Sequence, residues 1–505
     1  VVVAETGKPL YRARIHLSGA MGDASFSRDT FADRDGRYRF ENVPPGRYRI
    51  QFSRPGFVEG WAGKRHLNDF GMPQEIGAGQ IQQFDFALSR GSVISGRVTD
   101  DLGEPLPGIQ LVPLRVQYSF SGVRLLPWYS SLGSRTDDRG QFRLAALPPG
   151  TYVLAADAQN SATGDGYAAT YYPGTRNLNE ARRVRIGTGD DVTADFSLTA
   201  TRQVRVTGQV RLSNGAPVQS YSVALRTETT VGNRFGRVTG PAGTFEFDGV
   251  SPGRYLLHVN STRPYDPKET PAEFATMPIE IGDEDVNGVL IVTGFGTTVS
   301  GRVIFDGTAP RNSTTQRAYV VPRVVENGYG GRMPPTKDNG LISDAGTFTL
   351  RGLTGRVLFG VFMPEWELKS VMLDGVDITD VPYDTSRGGT DKLEIVLTDQ
   401  RQELRGQVVD AFGRTPGEFV VLAVPRNLAE GIASGRRTSN NFTSNTDGSF
   451  IIQNLPPGDY FAAALKSLPE SARYDPEFHD SIKDRATPFV ISPGQTVKLD
   501  LTLIE

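Results

Sequence analysis

One stretch of this 505-residue chain has the spacing of an activated nucleophile: Gly249-Val250-Ser251-Pro252-Gly253 satisfies Gly-x-Ser-x-Gly. In a hydrolase that motif is a sharp strand-to-helix turn that lifts the serine hydroxyl toward a histidine and an oxyanion hole. Here the residues that follow, "RYLLHV", read as a strand, so the required helix is missing. The four histidines, His16, His66, His258 and His479, are scattered. None belongs to a His-x-x-Glu or His-Glu-x-x-His pattern, which excludes zinc-peptidase machinery. His16 and His258 fall in strand patterns. With no cysteine in the chain, disulfides, thiol catalysis and cysteine zinc sites are excluded. No catalytic residue and no cofactor is expected.

Oxygen ligands are the next chemistry to consider. Asp33 and Asp35 in "DRDG", Asp137 and Asp138 in "TDDRG", and Asp283, Glu284 and Asp285 in "GDEDVNG" are acidic turns. They are calcium candidates only, because none carries the further ligands and bidentate glutamate of an EF-hand loop. Asp and Gly are also the ordinary residues of hairpin turns. Aromatic clusters are the better ligand candidates. Trp128 and Tyr129 sit in one long insertion, Tyr171 and Tyr172 in "YAATYYPGT". Exposed, they would offer stacking platforms for sugar rings; packed, they would supply core and interface area. Asn260, Asn312 and Asn441 stand in glycosylation sequons.

The elements that position these residues repeat. "DRDGRYRFENVPPGRYRI", "DDRGQFRLAALPPGTYVL", "GPAGTFEFDGVSPGRYLL", "SDAGTFTLRGLTGRVLFG" and "NTDGSFIIQNLPPGDYFA" are copies of one turn-strand-corner-strand unit. Turn glycine to corner glycine is ten residues in four copies (36–46, 140–150, 243–253, 448–458) and nine in the fourth (346–355). Ser251 therefore occupies a proline position of a repeated corner. Proline ends the incoming strand because it cannot donate to a ladder. The Leu-x-x-Gly-x-Tyr pattern is that of a tyrosine corner, whose phenol bonds to backbone just upstream. Tyr48, Tyr152, Tyr255 and Tyr460 are assigned that role; the fourth copy has Val357 instead. Gly-x-Val precedes four units, at Gly96, Gly208, Gly301 and Gly406. Alternating runs such as "VTADFSLTA" and "VKLDLTLIE" close them. The alternation reads as half-buried antiparallel strands.

These marks divide the chain into five β-sandwiches: 1–90, 91–200 with the aromatic insertion, 201–295, 296–399 with a divergent corner, and 400–505. The fold class is all-β, with five tandem Ig-like or transthyretin-like antiparallel sandwiches as beads on a string. A straight row would extend roughly 150 Å. Helix is expected only at Asp475–Ala486, capped by Asp475 with Pro476 in the first turn, and near Thr175. Net charge is −3 with both signs mixed, which points away from nucleic acid. No apolar run is long enough to span a membrane as a helix.

The chain opens on "VVVAETGKP", without Met, and reads as a mature or trimmed product. Aligning Gly7 with Gly103 places Val1 opposite Arg97, so the first sandwich lacks the start of its first strand. An incomplete sheet exposes an edge that templates pairing with another chain. Val1, Val2, Val3, Leu501 and Leu503 are accordingly candidates for a polymer interface.

"GRVTDDLGEPLPGIQL" followed by "TDDRGQFRLAALPPGTYVLAA" resembles the carboxypeptidase regulatory-like domain, a transthyretin-like sandwich. "WELKSVMLDGVDITD" and the ending "YDPEFHDSIKDRATPFVISPGQTVKLDL" look like segments of large secreted proteins of acidobacterial type. The resemblance implies accessory modules without catalytic residues. The expected function is a non-enzymatic extracellular or cell-surface protein of bacterial, secreted type: a filament subunit, stalk or adhesin whose partners are copies of itself, joined head to tail. Two alternatives stand beside it: a carbohydrate-binding surface module, and an accessory segment of a larger secreted peptidase or outer-membrane transporter.

Overall fold

A computed structural model describes the chain apart from residues 22–23, 64–71, 120–121, 129–133, 158–165, 219, 228, 230, 241, 264–271, 309–317, 326–339, 428–440, 444–446, 469–471 and 505. Its architecture is β-sandwich throughout. Five apolar cores follow one another along the chain, spanning Val1–Leu88, Ile94–Leu198, Val204–Ile291, Val299–Leu397 and Leu404–Leu501. The second sandwich shows the plan. One sheet places an opening strand, Ser92–Asp100, between the strand before the corner, Gln141–Leu147, and the closing strands Asp191–Thr193 and Phe196–Leu198. The other places the strand after the corner, Gly150–Asp157, beside Gln110–Ser119. Alternation sends Phe142, Leu144, Tyr152 and Leu154 to the shared core.

The ladders are antiparallel except those of the closing strand with the opening strand; in the fifth sandwich the closing strand also pairs parallel with the end of Gly458–Leu465. The closing strand runs parallel to the opening strand, as in Phe196↔Val98, Ile291↔Val210, Ile395↔Val303 and Leu501↔Val408. Alternation fixes which face is buried but not the direction of the neighbour.

This crossing explains Gly-x-Val. A β-carbon at Gly96, Gly208, Gly301 or Gly406 would overlap the carbonyl oxygen of Ala194, Val289, Leu393 or Leu499, respectively. The obstacle is backbone, so only glycine fits. The valine two residues on is buried each time: Val98, Val210, Val303 and Val408.

The corner has a second constraint. The residue before the apolar plug has positive φ in every repeat: Asn42 at 53°, Ala146 at 58°, Gly249 at 66°, Gly352 at 75° and Asn454 at 63°. Asn and Gly are the residues that tolerate this region, and Ala146 is the strained member.

Two helical segments lie where the caps place them. Asp475 accepts from the Glu477 N–H ahead of Pro476–Ile482, and Asn177 caps the 3-10 turn Leu178–Glu180. The helix covers the outer face of the fifth sandwich, over Leu422, Val424, Ala463 and Leu465. Arg185 of the second sandwich pairs with Glu477 on this helix.

Candidate functional site

Ser251 is a corner residue. Its carbonyl accepts the Tyr255 hydroxyl at 2.9 Å, and its own hydroxyl donates to the Tyr167 carbonyl at 3.4 Å. It is 7% exposed, in the joint between the second and third sandwiches. The nearest histidine in sequence, His258, bonds Thr276 through Nδ1 at 3.1 Å. The other corners share the geometry. Tyr48 donates to Pro44 O at 2.7 Å, Tyr152 to Pro148 O at 2.8 Å and Tyr460 to Pro456 O at 2.7 Å. Burial pushes the Tyr152 and Tyr255 phenols above their ordinary range. In the fourth sandwich Val357 is fully buried at this place.

The acidic turns serve the backbone. Asp33 Oδ1 accepts the N–H groups of Asp35 and Arg37, both at 2.9 Å. Asp137 Oδ1 accepts those of Arg139 and Gln141, at 3.0 and 2.8 Å. Asp35 and Asp138 are exposed. Among the described residues no three acidic or histidine side chains converge on a common point.

Three of the aromatic candidates, Trp128, Tyr171 and Tyr172, pack against a sandwich core or its neighbour. Tyr171 is 7% exposed and its hydroxyl bonds Thr229 Oγ1 of the next sandwich at 2.7 Å. Tyr172 stands edge-on to Phe196, centroids 5.6 Å apart, and Trp128 packs against the same core. Large aromatics supply more by filling the joint than by facing water. Tyr129 and Asn312 lie outside the described residues. Asn260 is half-buried in the strand Gly253–Ser261, and Asn441 begins the strand Asn441–Thr443.

The interface candidates lie at the chain ends. Val1, Val3 and Leu501 are buried in their own cores, while Val2 and Leu503 are half-buried. The alignment of the first repeat shifts by one residue. Val1 N donates to Gly36 O, and Leu10 N to Val1 O, as Val98 and Leu106 do with Gly140 and Val98. Val1 thus matches Val98 rather than Arg97. The cause is a hairpin one residue longer, closed by Val3 N to Lys8 O where the second repeat closes Asp100 N to Glu104 O.

In the second sandwich Gln141–Leu147 and the closing strand both pair with Ser92–Asp100. In the first, the opening strand is only Val2–Val3, paired with Ala87–Leu88. The counterparts of the flanking strands, residues 37–43 and 80–86, carry no ladder. Tyr38, Phe40, Val43, Phe84 and Phe86 pack half-buried against the first core, and Ile81 is 98% exposed. The Tyr38 hydroxyl reaches across to Phe84 O at 2.8 Å. Burial raises that phenol to about 12.

The joints are short: residues 89–91, 199–203, 293–296 and 399–402 separate the last strand of one sandwich from the first of the next. Backbone bonds cross the first joint, Gly91 N to Gly56 O and Val58 N to Ser89 O, both at 2.9 Å. At the second, Val231 of the third sandwich enters an apolar cluster with Leu114, Val116, Val153 and Tyr171 of the second.

Fold and joints define a chain of tandem all-β sandwiches. The carboxypeptidase regulatory-like domain model matches residues 1–89 and 93–199, the first two sandwiches. No curated protein matches. Solved structures with local likeness include the Bacillus anthracis TIE protein, at 10% identity and TM-score 0.16, over 79% of this chain and 68% of that one. BcpA, the major pilin subunit of Bacillus cereus, matches at 10% and 0.15, over 82% and 99%. The RrgB pilus protein of Streptococcus pneumoniae matches at 10% and 0.14, over 83% and 98%.

Proposed function

We propose that this chain is a non-catalytic structural protein of the bacterial cell surface, a row of sandwiches that associates end to end with copies of itself. The observation that carries this reading is the set of short joints, three to five residues long, two of them crossed by backbone bonds or by an apolar cluster shared between neighbours. End-to-end contact between copies is heterologous and propagates. The short, bonded joints suit a chain that transmits position rather than one that turns over substrate. No helix among the described residues is long and apolar enough to cross a membrane.

The test is light scattering and negative-stain electron microscopy of the chain over a range of concentrations. The reading expects a concentration-dependent open series of elongated particles. A chain that stays monomeric at the highest concentration, or that closes into a compact oligomer, overturns it.

A further inference from the structure

In the dipeptide Asn-Gly a side-chain amide and the next backbone nitrogen meet with little steric hindrance, because glycine has no β-carbon beside that nitrogen. The pair occurs at Asn214, Asn287, Asn327 and Asn339; the last two asparagines lie outside the described residues. The backbone holds the two described pairs differently. Asn214 is in a hairpin turn. Its Oδ1 accepts the Ala216 N–H at 3.0 Å, and the Gly215 N–H donates to Leu212 O at 2.8 Å. Both the amide oxygen and the neighbouring nitrogen are therefore engaged in the turn itself.

Asn287 stands in the closing strand of the third sandwich, Val286–Val292, beside the opening strand Val204–Arg211. The register runs Val206↔Val286 and then Gly208↔Val289, so Thr207 opposes both Asn287 and Gly288. Two residues against one make a bulge, and neither of the two has a partner in the ladder. Both are exposed. Gly288 has a φ of 74°, and nothing stands within 4 Å of where a side chain on it would begin. The Thr207 hydroxyl donates to Asn287 Oδ1 at 3.0 Å. A donor at that oxygen polarises Cγ and stabilises the oxyanion that forms when a nucleophile adds there.

We propose that Asn287, Gly288 and Thr207 form a self-modifying site, at which Asn287 is converted to aspartate and isoaspartate. The Gly288 amide nitrogen gives its proton to solvent base and bonds to Asn287 Cγ, while Thr207 holds the charge that builds on Oδ1. The Cγ–Nδ2 bond then breaks. Nδ2 takes a proton from water and leaves as ammonia, and a succinimide ring remains. Water adds to one of the two ring carbonyls and breaks its bond to the Gly288 nitrogen. Addition at Cγ leaves aspartate; addition at the main-chain carbonyl leaves isoaspartate. No oxidant or reductant takes part. The product places a carboxylate in a strand that has none, next to the acidic run Asp283–Asp285.

The experiment holds the full chain in mildly alkaline buffer and follows both asparagines by peptide mass spectrometry, with isoaspartate scored by enzymatic methylation. Conversion at Asn287 is expected to run about tenfold faster than at Asn214, with isoaspartate among the products. Thr207→Val is expected to slow Asn287 by about tenfold while Asn214 keeps its rate, and Thr207→Ser to restore it. Circular dichroism and thermal unfolding establish that the variants are folded; should Thr207→Val unfold, the ratio of the two rates in the parent decides. Equal rates at Asn287 and Asn214 overturn the proposal. So does aspartate formed without isoaspartate, or a folded Thr207→Val chain that converts at the parent rate.

Discussion

The carbonyl oxygen of Ala194 occupies the space a β-carbon on Gly96 would need. The contact joins the first strand of the second sandwich to its last, and its equivalents recur at Gly208, Gly301 and Gly406. Replacing one of these glycines forces two backbones apart in the middle of a ladder.

Gly406→Ala is therefore expected to cost the fifth sandwich about 3 kcal/mol, at the upper end of overpacking penalties because no flexible side chain can yield. Gly282→Ala, with open space around it, is the matched control. Differential scanning calorimetry resolves the effect as a downward shift of one transition, since a five-domain chain does not unfold in one step. Equal profiles for the two variants would contradict the packing argument.

Tyr152→Phe removes a hydroxyl whose only described partner is Pro148 O. The ring stays buried, so the cost is the hydrogen bond, about 1 kcal/mol, with more if the carbonyl is left dry. Urea unfolding of the isolated transition measures it. Val357→Ala in the fourth sandwich, where no tyrosine stands at this place, should lose stability through its cavity alone.

Ala146 holds a left-handed φ of 58° where two other repeats use glycine. Ala146→Gly relieves a penalty of about 1 kcal/mol and gives back roughly half in unfolded-state entropy. A small rise in the melting temperature of the second sandwich is expected; a fall would show that the Ala146 methyl packs usefully.

His258 carries the clearest pH dependence. Burial, with the Arg226 guanidinium nearby, lowers its pKa from the ordinary value to about 4. The unfolded chain, near 6.5, binds the extra proton first. Stability contributed by the neutral ring is present above pH 6.5 and is lost as pH falls toward 4. Thermal scans at pH 7.5 and 5 should show the third sandwich weakening in the parent and less so in His258→Gln. Identical pH sensitivity in both would remove His258 as the cause.

Much of the candidate site was legible at the level of strands and not of edges. The corner tyrosines could be assigned because the hydroxyl and its carbonyl lie four residues apart, a local geometry. Tyr171 could not be placed, since its partner Thr229 is in the next sandwich. The one-residue shift at Val1 escaped because hairpin length is set by bonds between Val3 and Lys8, which no glycine marker reports.

The sequence by itself determined the repeat, the alternation of buried and exposed positions, the corners and the caps, all of which follow from side-chain chemistry over a few residues. The tertiary structure decided which strands are neighbours. Only it revealed that the closing strand runs parallel, that Gly-x-Val marks a crossing of backbones, and that Tyr171 fills a joint. These depend on contacts far apart in the chain, from 58 positions between Tyr171 and Thr229 to 98 between Val98 and Phe196, where pairing partners are fixed by the closed core and not by the local pattern.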